Sequence, residues 1–494
     1  MIYPFWDVPF GYGILMAVIA VLHVFVSHFA IGGGLYLVVT ERRAVKAGDT
    51  ATLEFLQKLS KFFVLVTLVF GALSGVGIWF IIGLLNPSAT EALIHNFVWG
   101  WAIEWTFFVV EIAAAIIYYY TWKRLASREH MIVGWIYFIA AWLSLVVING
   151  IVAFMLTPGK WLQTGNFWDG FFNPTYWPSL VLRTGVCVML AGLYALLVAA
   201  RYETSDFKKR IVRYSVLWGV IGFIIALVIA NPWYFSIILA TIFAKQQPFM
   251  STPVYAAAVE HFLGFAIIAS LVLAWLIARR WNTVLAIILM ALGLAWFGAF
   301  EMFRESIRKP YVVTGYIYGN GAQVAKAAQY QKDGLLSQFQ YKTGDDGADL
   351  FRHACRTCHT WTGYKPLKPA FDGTDKAFIA GIIRSAHLLK GNMPPFLGTP
   401  AEADKIASYL DAHIDHTPIT NGAKAYQVRC GKCHVLGTTT DKSKTFIGLD
   451  ADNLGNLLDA LPDLSKDMPA YTGSAAERAA LIAYLQELGK QVKP

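Results

Sequence analysis

The sequence predicts an all-α protein in two parts: a polytopic membrane bundle of about eight transmembrane helices, then two copies of a small helical unit. Three observations predict this. Hydrophobic residues make up 56% of the 494 and charged residues only 15%, a balance found in membrane-embedded chains and not in soluble ones. The apolar character stops near Arg304, after which the composition is that of ordinary soluble protein. A block of 75 residues then occurs twice, and internal repeats of that length mark duplicated structural units.

Eight apolar runs are long enough to cross roughly 30 Å of hydrocarbon as helices. They lie near residues 12–40, 62–84, 97–121, 132–157, 178–200, 214–242, 256–278 and 282–303. No small-residue cleavage pattern follows the first, which reads as a retained anchor. The net charge of +9 does not imply nucleic acid, because most basic residues of this part sit in short loops. Alternate loops hold fifteen of them, from Arg42 and Arg43 to Arg279 and Arg280, while the intervening loops hold Lys160 and Lys245. The positive-inside bias puts the first set in the cytoplasm. The N-terminus and everything after residue 303 then lie outside, on the periplasmic side of a bacterial inner membrane.

Four of the five cysteines form two C-x-x-C-H runs, Cys355-Cys358-His359 and Cys430-Cys433-His434. A C-x-x-C pair alone suits zinc or redox chemistry, but a histidine directly after it marks covalent haem attachment. Two thioether bonds fix the macrocycle, and the adjacent imidazole is placed to ligate its iron. The repeat supplies the second axial ligand: Met393 follows His359 by 34 residues, and Met468 follows His434 by 34. The segments GADLFRHACRTCH and GAKAYQVRCGKCH share Gly, Ala, an aromatic and the motif, and Tyr409-Leu410 recurs as Tyr484-Leu485. Each unit resembles a class I cytochrome c: a helix into the motif, a loop presenting Met, and a closing helix. Methionine opposite histidine raises the reduction potential, which suits electrons arriving from another cytochrome c. The expected division is a membrane domain over 1–303, a linker or docking strap over 304–344, and haem units over 345–418 and 419–494. His353, just ahead of the first motif, reads as a surface residue.

Ionisable residues inside spans are functional candidates, since something must offset their burial. They are His23 and His28 in the first helix, Glu104 and Glu111 in the third, Arg183 in the fifth, Glu260 and His261 in the seventh, and Glu301 and Glu305 in the eighth. Five residues separate His23 from His28, about 140° around a helix, so the two cannot ligate one iron. Seven residues separate Glu104 from Glu111, which places both on one face and suits a proton relay or a carboxylate beside a metal. Arg183 is suited to haem propionates or to a carboxylate such as Glu260. Cys187 reads as a packed core thiol, and His95 and His130 as solvent-facing residues at an outer loop and a cytoplasmic helix end.

Four segments in this order resemble subunit I of the cytochrome bd-type oxygen reductases: LHVFVSHFAIG, GALSGVGIWF, AIEWTFFVVE and RESIRKPY. The resemblance covers the membrane part to about residue 315, although that family has one more helix. It places His23 and Glu305 as ligands of the active-site haem. Glu104 takes the place of the third-helix glutamate, and Glu111 that of a second glutamate, here one residue closer. The departures carry as much information. FNPTYWPSLVLRT has Arg183 where the family has the histidine of its low-spin haem, and Ile268 stands where the partnering methionine is expected. The long quinol loop is reduced to KQQPFMSTPVY. Low-spin haem is therefore absent or rebuilt on another ligand such as His261 or His28, the latter being equally suited to a proton site or a helix–helix hydrogen bond. Quinol entry is removed and a cytochrome c entry is added.

The resemblance implies a haem oxidoreductase holding two covalent haems c and haem b, haem d or both in the membrane. A periplasmic cytochrome c or other haem protein would be its donor, oxygen its acceptor, and a second membrane subunit its partner. Two rival readings remain: a reductase of nitric oxide or another small oxidant on the same frame, and an electron-transfer subunit of a larger respiratory complex.

Overall fold

The structure is a computed structural model that describes residues 6, 8–9, 11–243, 251–389, 393–438, 440–465 and 467–491. Lys245 and the short loop around it lie outside the described residues.

Among the described residues, eight helices are long and apolar enough to cross a membrane: α1 (Tyr12–Ala47), α2 (Thr50–Leu85), α3 (Val98–Tyr120), α4 (Ser127–Leu156), α5 (Tyr176–Ala199), α6 (Asp206–Thr241), α7 (Val254–Leu276) and α8 (Thr283–Arg308). In lipid each backbone amide must find its partner within the segment, so apolar runs of this length become helices. Helices α1, α2, α4, α6 and α8 extend past the expected runs at their polar ends. Asp49 caps α2 by accepting from the Thr52 amide at 3.0 Å, and Ser205 caps α6 through the Lys208 amide at 3.1 Å. The chain divides into two compact units, one of residues 16–83 and 90–308, the other of residues 1–15, 84–89 and 309–494.

In the membrane unit α5 is the central helix, with 83% of its apolar window buried. Small residues bring its neighbours to backbone contact, as association without a hydrophobic driving force requires. A Cβ at Gly32 of α1 would lie 1.8 Å from the carbonyl oxygen of Cys187, and one at Gly222 of α6 would lie 2.1 Å from the Met189 nitrogen. By contrast, α2 and α3 bury only 17% of their windows and present long apolar faces outward.

In the second unit, the stretch from residue 309 opens with a two-stranded antiparallel ribbon, β1 (Tyr311–Val313) and β2 (Ile317–Tyr318). The repeats follow as helices α9 (Asp346–Ala354), α10 (Lys376–Arg384), α11 (Pro400–Asp411), α12 (Gly422–Arg429), α13 (Ala451–Asp459) and α14 (Ala475–Gln491). In each copy the motif helix crosses the closing helix, α9 on α11 and α12 on α14. The stretch expected as a linker or docking strap packs onto the first repeat: Tyr318, Tyr330 and Leu335 join Leu350, Ile379 and Ile406 in one buried core. Glu402 holds it there, accepting from the amides of Leu335 at 3.0 Å and Leu336 at 2.8 Å.

Candidate functional site

The two haem motifs have the same local construction. Asp345 and Asn421 cap the motif helices, accepting from the amides of Ala348 and Lys424, each at 2.9 Å. Such caps satisfy otherwise unpaired amides of the first turn. Each helix ends at its first cysteine, and each histidine then turns its Nδ1 to a carbonyl six residues on. His359 donates to Lys365 at 3.0 Å and His434 to Thr440 at 3.3 Å. With Nδ1 protonated and tied to a carbonyl, the Nε2 lone pair is left for a metal, the tautomer an axial ligand needs. All four motif cysteines are free thiols, and burial pushes both Cys355 and Cys430 up to about 12. Met393 lies half-buried against the core that surrounds the first motif, and Met468 is half-buried in the matching loop. Fixed imidazole tautomers beside paired cysteines, with a half-buried methionine 34 residues on in each repeat, fit one covalent haem per repeat.

The copies are interlocked. Lys432, between the cysteines of the second motif, donates to the Ala370 carbonyl at 2.7 Å and lies over the rings of Phe371 and Phe378 of the first copy. Desolvation there lowers its pKa to about 8. Arg429 pairs with buried Glu477 at 2.8 Å and reaches Asp375 of the first copy at 3.5 Å. The Met468 loop is tethered too, as Ser385 donates to the Asp467 carbonyl at 2.8 Å. The second haem site is thus framed partly by side chains of the first.

In the membrane unit His23 of α1 meets the glycine-rich segment of α2. The Ser74 hydroxyl donates to the Phe70 carbonyl at 2.7 Å, so it accepts from His23 Nδ1 at 3.1 Å and leaves Nε2 with a lone pair. Gly75 gives the ring room, because a Cβ there would lie 3.1 Å from its Cε1. That cradle fits an imidazole ligand of a membrane haem. Glu305 is half-exposed and pairs with Arg308 one turn on.

His28 is 2% exposed; its Nδ1 bonds the Val24 carbonyl at 2.7 Å, and its Nε2 has no hydrogen-bond partner among the described residues. His261 is exposed on α7, its Nδ1 on the Ala257 carbonyl at 2.6 Å, whereas Glu260 beside it is buried and accepts from Asn231 at 3.4 Å. Arg183 therefore does not take Glu260 as its carboxylate. It faces Glu301 at 3.9 Å, and Glu301 also accepts from Arg304 at 2.6 Å. Cys187 is buried at the α1–α5 contact, as a packing thiol. Glu104 and Glu111 both turn to α4, accepting from Ser144 at 2.9 Å and Tyr137 at 3.1 Å.

Three histidines differ from the sequence expectation. His130 is buried, not solvent-facing: it bonds Glu41 at 2.7 Å and the Tyr118 carbonyl at 2.8 Å. Glu41 and its partners carried no sequence signal by themselves. The signal lay in the seven-residue steps 104, 111, 118 and 130, 137, 144 on consecutive helices. His353 is buried as well, stacked on Phe339 at 3.7 Å. His95 is exposed but ends a short helix, Pro87–Asn96, and does not sit in a loop.

The comparisons with known proteins follow the same division. Residues 14–248 match the family model of cytochrome bd terminal oxidase subunit I. Residues 342–410 and 417–485 each match that of cytochrome C oxidase, cbb3-type, subunit III. The bd oxidase of Geobacillus thermodenitrificans shares the fold with a TM-score of 0.53 at 16% identity, over 66% of this chain and 93% of that one. Photosystem II extrinsic protein V of Cyanidioschyzon merolae (strain NIES-3377 / 10D) is 32% identical over 88 residues, 17% of this chain. The chain spans 57% of that curated relative's length. The first half of the chain is thus similar to cytochrome bd terminal oxidase subunit I, and each of the two repeats after it to cytochrome C oxidase, cbb3-type, subunit III.

Proposed function

We propose that this membrane haem oxidoreductase is a terminal oxidase that takes electrons from a periplasmic cytochrome c and reduces oxygen to water. Residues Cys355, Cys358, His359 and Met393, and Cys430, Cys433, His434 and Met468, would hold two haems c. His23 and Glu305 would hold a haem b or d in the membrane. Bound there, the haems supply one-electron chemistry that the side chains cannot. Each oxygen molecule takes four electrons from four donor molecules and four protons, and leaves as two waters.

One observation carries the reading. Where the bd-type pattern has a low-spin haem ligand, this chain has Arg183, engaged with Glu301, and two interlocked covalent-haem sites follow on the same chain. The outward apolar faces of α2 and α3 suit a second membrane subunit as well as lipid. Side chains of this chain do the proton work: Glu104 and Glu111, held by Ser144 and Tyr137, are the carboxylates that pass protons inward.

The test is oxygen and nitric oxide consumption by purified protein supplied with reduced cytochrome c, alongside haem analysis. Expected are oxygen uptake, two covalent haems c per chain and acid–acetone-extractable haem b or d. Preferential nitric oxide consumption would move the substrate, and extractable low-spin haem with no carbon monoxide binding would make the chain an electron-transfer subunit.

A further inference from the structure

Consecutive helices α3 and α4 are joined by three polar pairs, spaced seven residues apart on each helix and in opposite directions. Ser144 meets Glu104 at 2.9 Å, Tyr137 meets Glu111 at 3.1 Å, and His130 Nε2 meets the Tyr118 carbonyl at 2.8 Å. Seven residues are almost two turns, so the rungs stack along one seam with a rise of about 10 Å. The third rung lies at the end of the bundle beside Arg42, Arg43 and Lys123, which the charge bias assigns to the cytoplasm. It carries one more group, Glu41 of α1, which accepts from the Tyr118 hydroxyl at 2.6 Å and meets His130 Nδ1 at 2.7 Å. Glu41, His130 and Tyr118 are 2%, 3% and 5% exposed.

The bonding fixes the protons. His130 Nε2 faces a carbonyl and must carry hydrogen, as must the Tyr118 oxygen that faces Glu41. One proton is then shared between Glu41 and His130 Nδ1, either as carboxyl and neutral imidazole or as carboxylate and imidazolium. The next rung can receive it. Tyr137 has two acceptors for one hydrogen, Glu111 at 3.1 Å and the Ala30 carbonyl at 2.9 Å, so it donates to an ionised Glu111 and, once Glu111 is protonated, can accept from it while donating to Ala30. Between the tyrosine rings lies a small void with an apolar lining, formed by Leu37, Phe63, Ala115, Gly34, Gly134 and the two rings. Glycine is required at both positions: a Cβ would lie 2.3 Å from the Tyr137 ring at 34 and 3.0 Å from the Tyr118 ring at 134.

We propose that Glu41 and His130 are the proton-loading site of this chain, feeding Glu111 and Glu104 along the α3–α4 seam. The proposal rests on the oxygen-reductase reading and adds its proton entrance. Glu41 takes a proton from solution, the proton moves to the Glu111 carboxylate, and Glu41 is left ionised for the next. A plain helix clamp explains less, because a buried ion pair is a poor stabiliser compared with apolar packing.

The experiment uses the purified holoprotein in liposomes, with a pH dye reporting proton uptake on dithionite reduction and during turnover with oxygen. Glu41→Gln keeps the shape and can still bond both neighbours, but it cannot ionise. It is expected to slow uptake at least about tenfold with haem spectra and melting temperature unchanged, and Glu41→Asp is expected to recover part of the rate. Loss of the Glu41 carboxyl band from the redox-difference infrared spectrum of Glu41→Gln identifies the group that titrates. Wild-type uptake rates in a folded Glu41→Gln overturn the relay and leave the pair a clamp. Wild-type protein that takes up protons on reduction through Glu41 yet consumes no oxygen removes the oxidase reading and keeps the relay.

Discussion

Gly347 lies against Tyr409 with no space for a side chain: a Cβ at 347 would come 2.9 Å from the Tyr409 Cβ and 2.7 Å from the Lys405 carbonyl. The second repeat does the same 75 residues on, where a Cβ at Gly422 would meet the Ala480 carbonyl at 2.1 Å and the Tyr484 Cβ at 2.7 Å. The recurring Gly-Ala and Tyr-Leu pairs thus mark the crossing of motif and closing helices. Gly347→Ala and Gly422→Ala should each destabilise their repeat by about 1–3 kcal/mol, the usual cost of overpacking. Gly422→Ala should cost more, since its Cβ would approach a backbone carbonyl to 2.1 Å against 2.7 Å at 347. Urea unfolding of the holoprotein, followed by haem c absorbance, measures both.

Arg429 and Glu477 form a pair with side chains 4% and 2% exposed. Removing the guanidinium strands a carboxylate in the core. Arg429→Ala should cost about 3–5 kcal/mol, while replacing both residues by methionine should recover most of that loss. Comparison of the two urea midpoints decides between a structural pair and one that contributes little.

Burial pushes His353 down from 6.5 to about 4, with the neighbouring Arg352 adding to the effect. Below pH 6.5 the unfolded chain takes up a proton that the folded one refuses until about pH 4. Stability should therefore rise with pH between 4 and 6.5 and be flat from this cause above it. The contribution is on the order of 3 kcal/mol across the window. His353→Phe, which keeps an aromatic ring against Phe339, should remove that slope from the urea midpoint measured against pH.

The bundle and the haem repeats were legible because each rests on a local rule. Apolar runs in lipid must be helices, and a C-x-x-C-H run carries its ligand chemistry within five residues. What escaped were pairings between distant segments. His130 is buried because Glu41, 89 residues away, supplies its partner. A helix apolar on nearly every side does not announce which face is inward, so Arg183 could not be assigned to Glu301 in place of Glu260 before the helices were packed. The strap before the first repeat has the polar composition of a linker, yet Glu402, at the third residue of a helix far along the chain, fixes its backbone.

His28 holds the same tautomer as the two cytochrome ligands, with Nδ1 on a backbone carbonyl and Nε2 left over. In His28 the remaining nitrogen is buried and unpartnered among the described residues. An unpaired buried nitrogen costs about 1–3 kcal/mol, which a metal or an ordered water would offset. His28→Leu separates the two outcomes. If the ring serves a haem, the variant should lose extractable haem and change the reduced-minus-oxidised spectrum of the membrane haem, with haem c unaltered. If the ring is only packed against Phe297 at 5.5 Å, the spectrum should stay as it is and the melting temperature should rise, because an apolar side chain then replaces an unpaired polar one. We expect the spectral change.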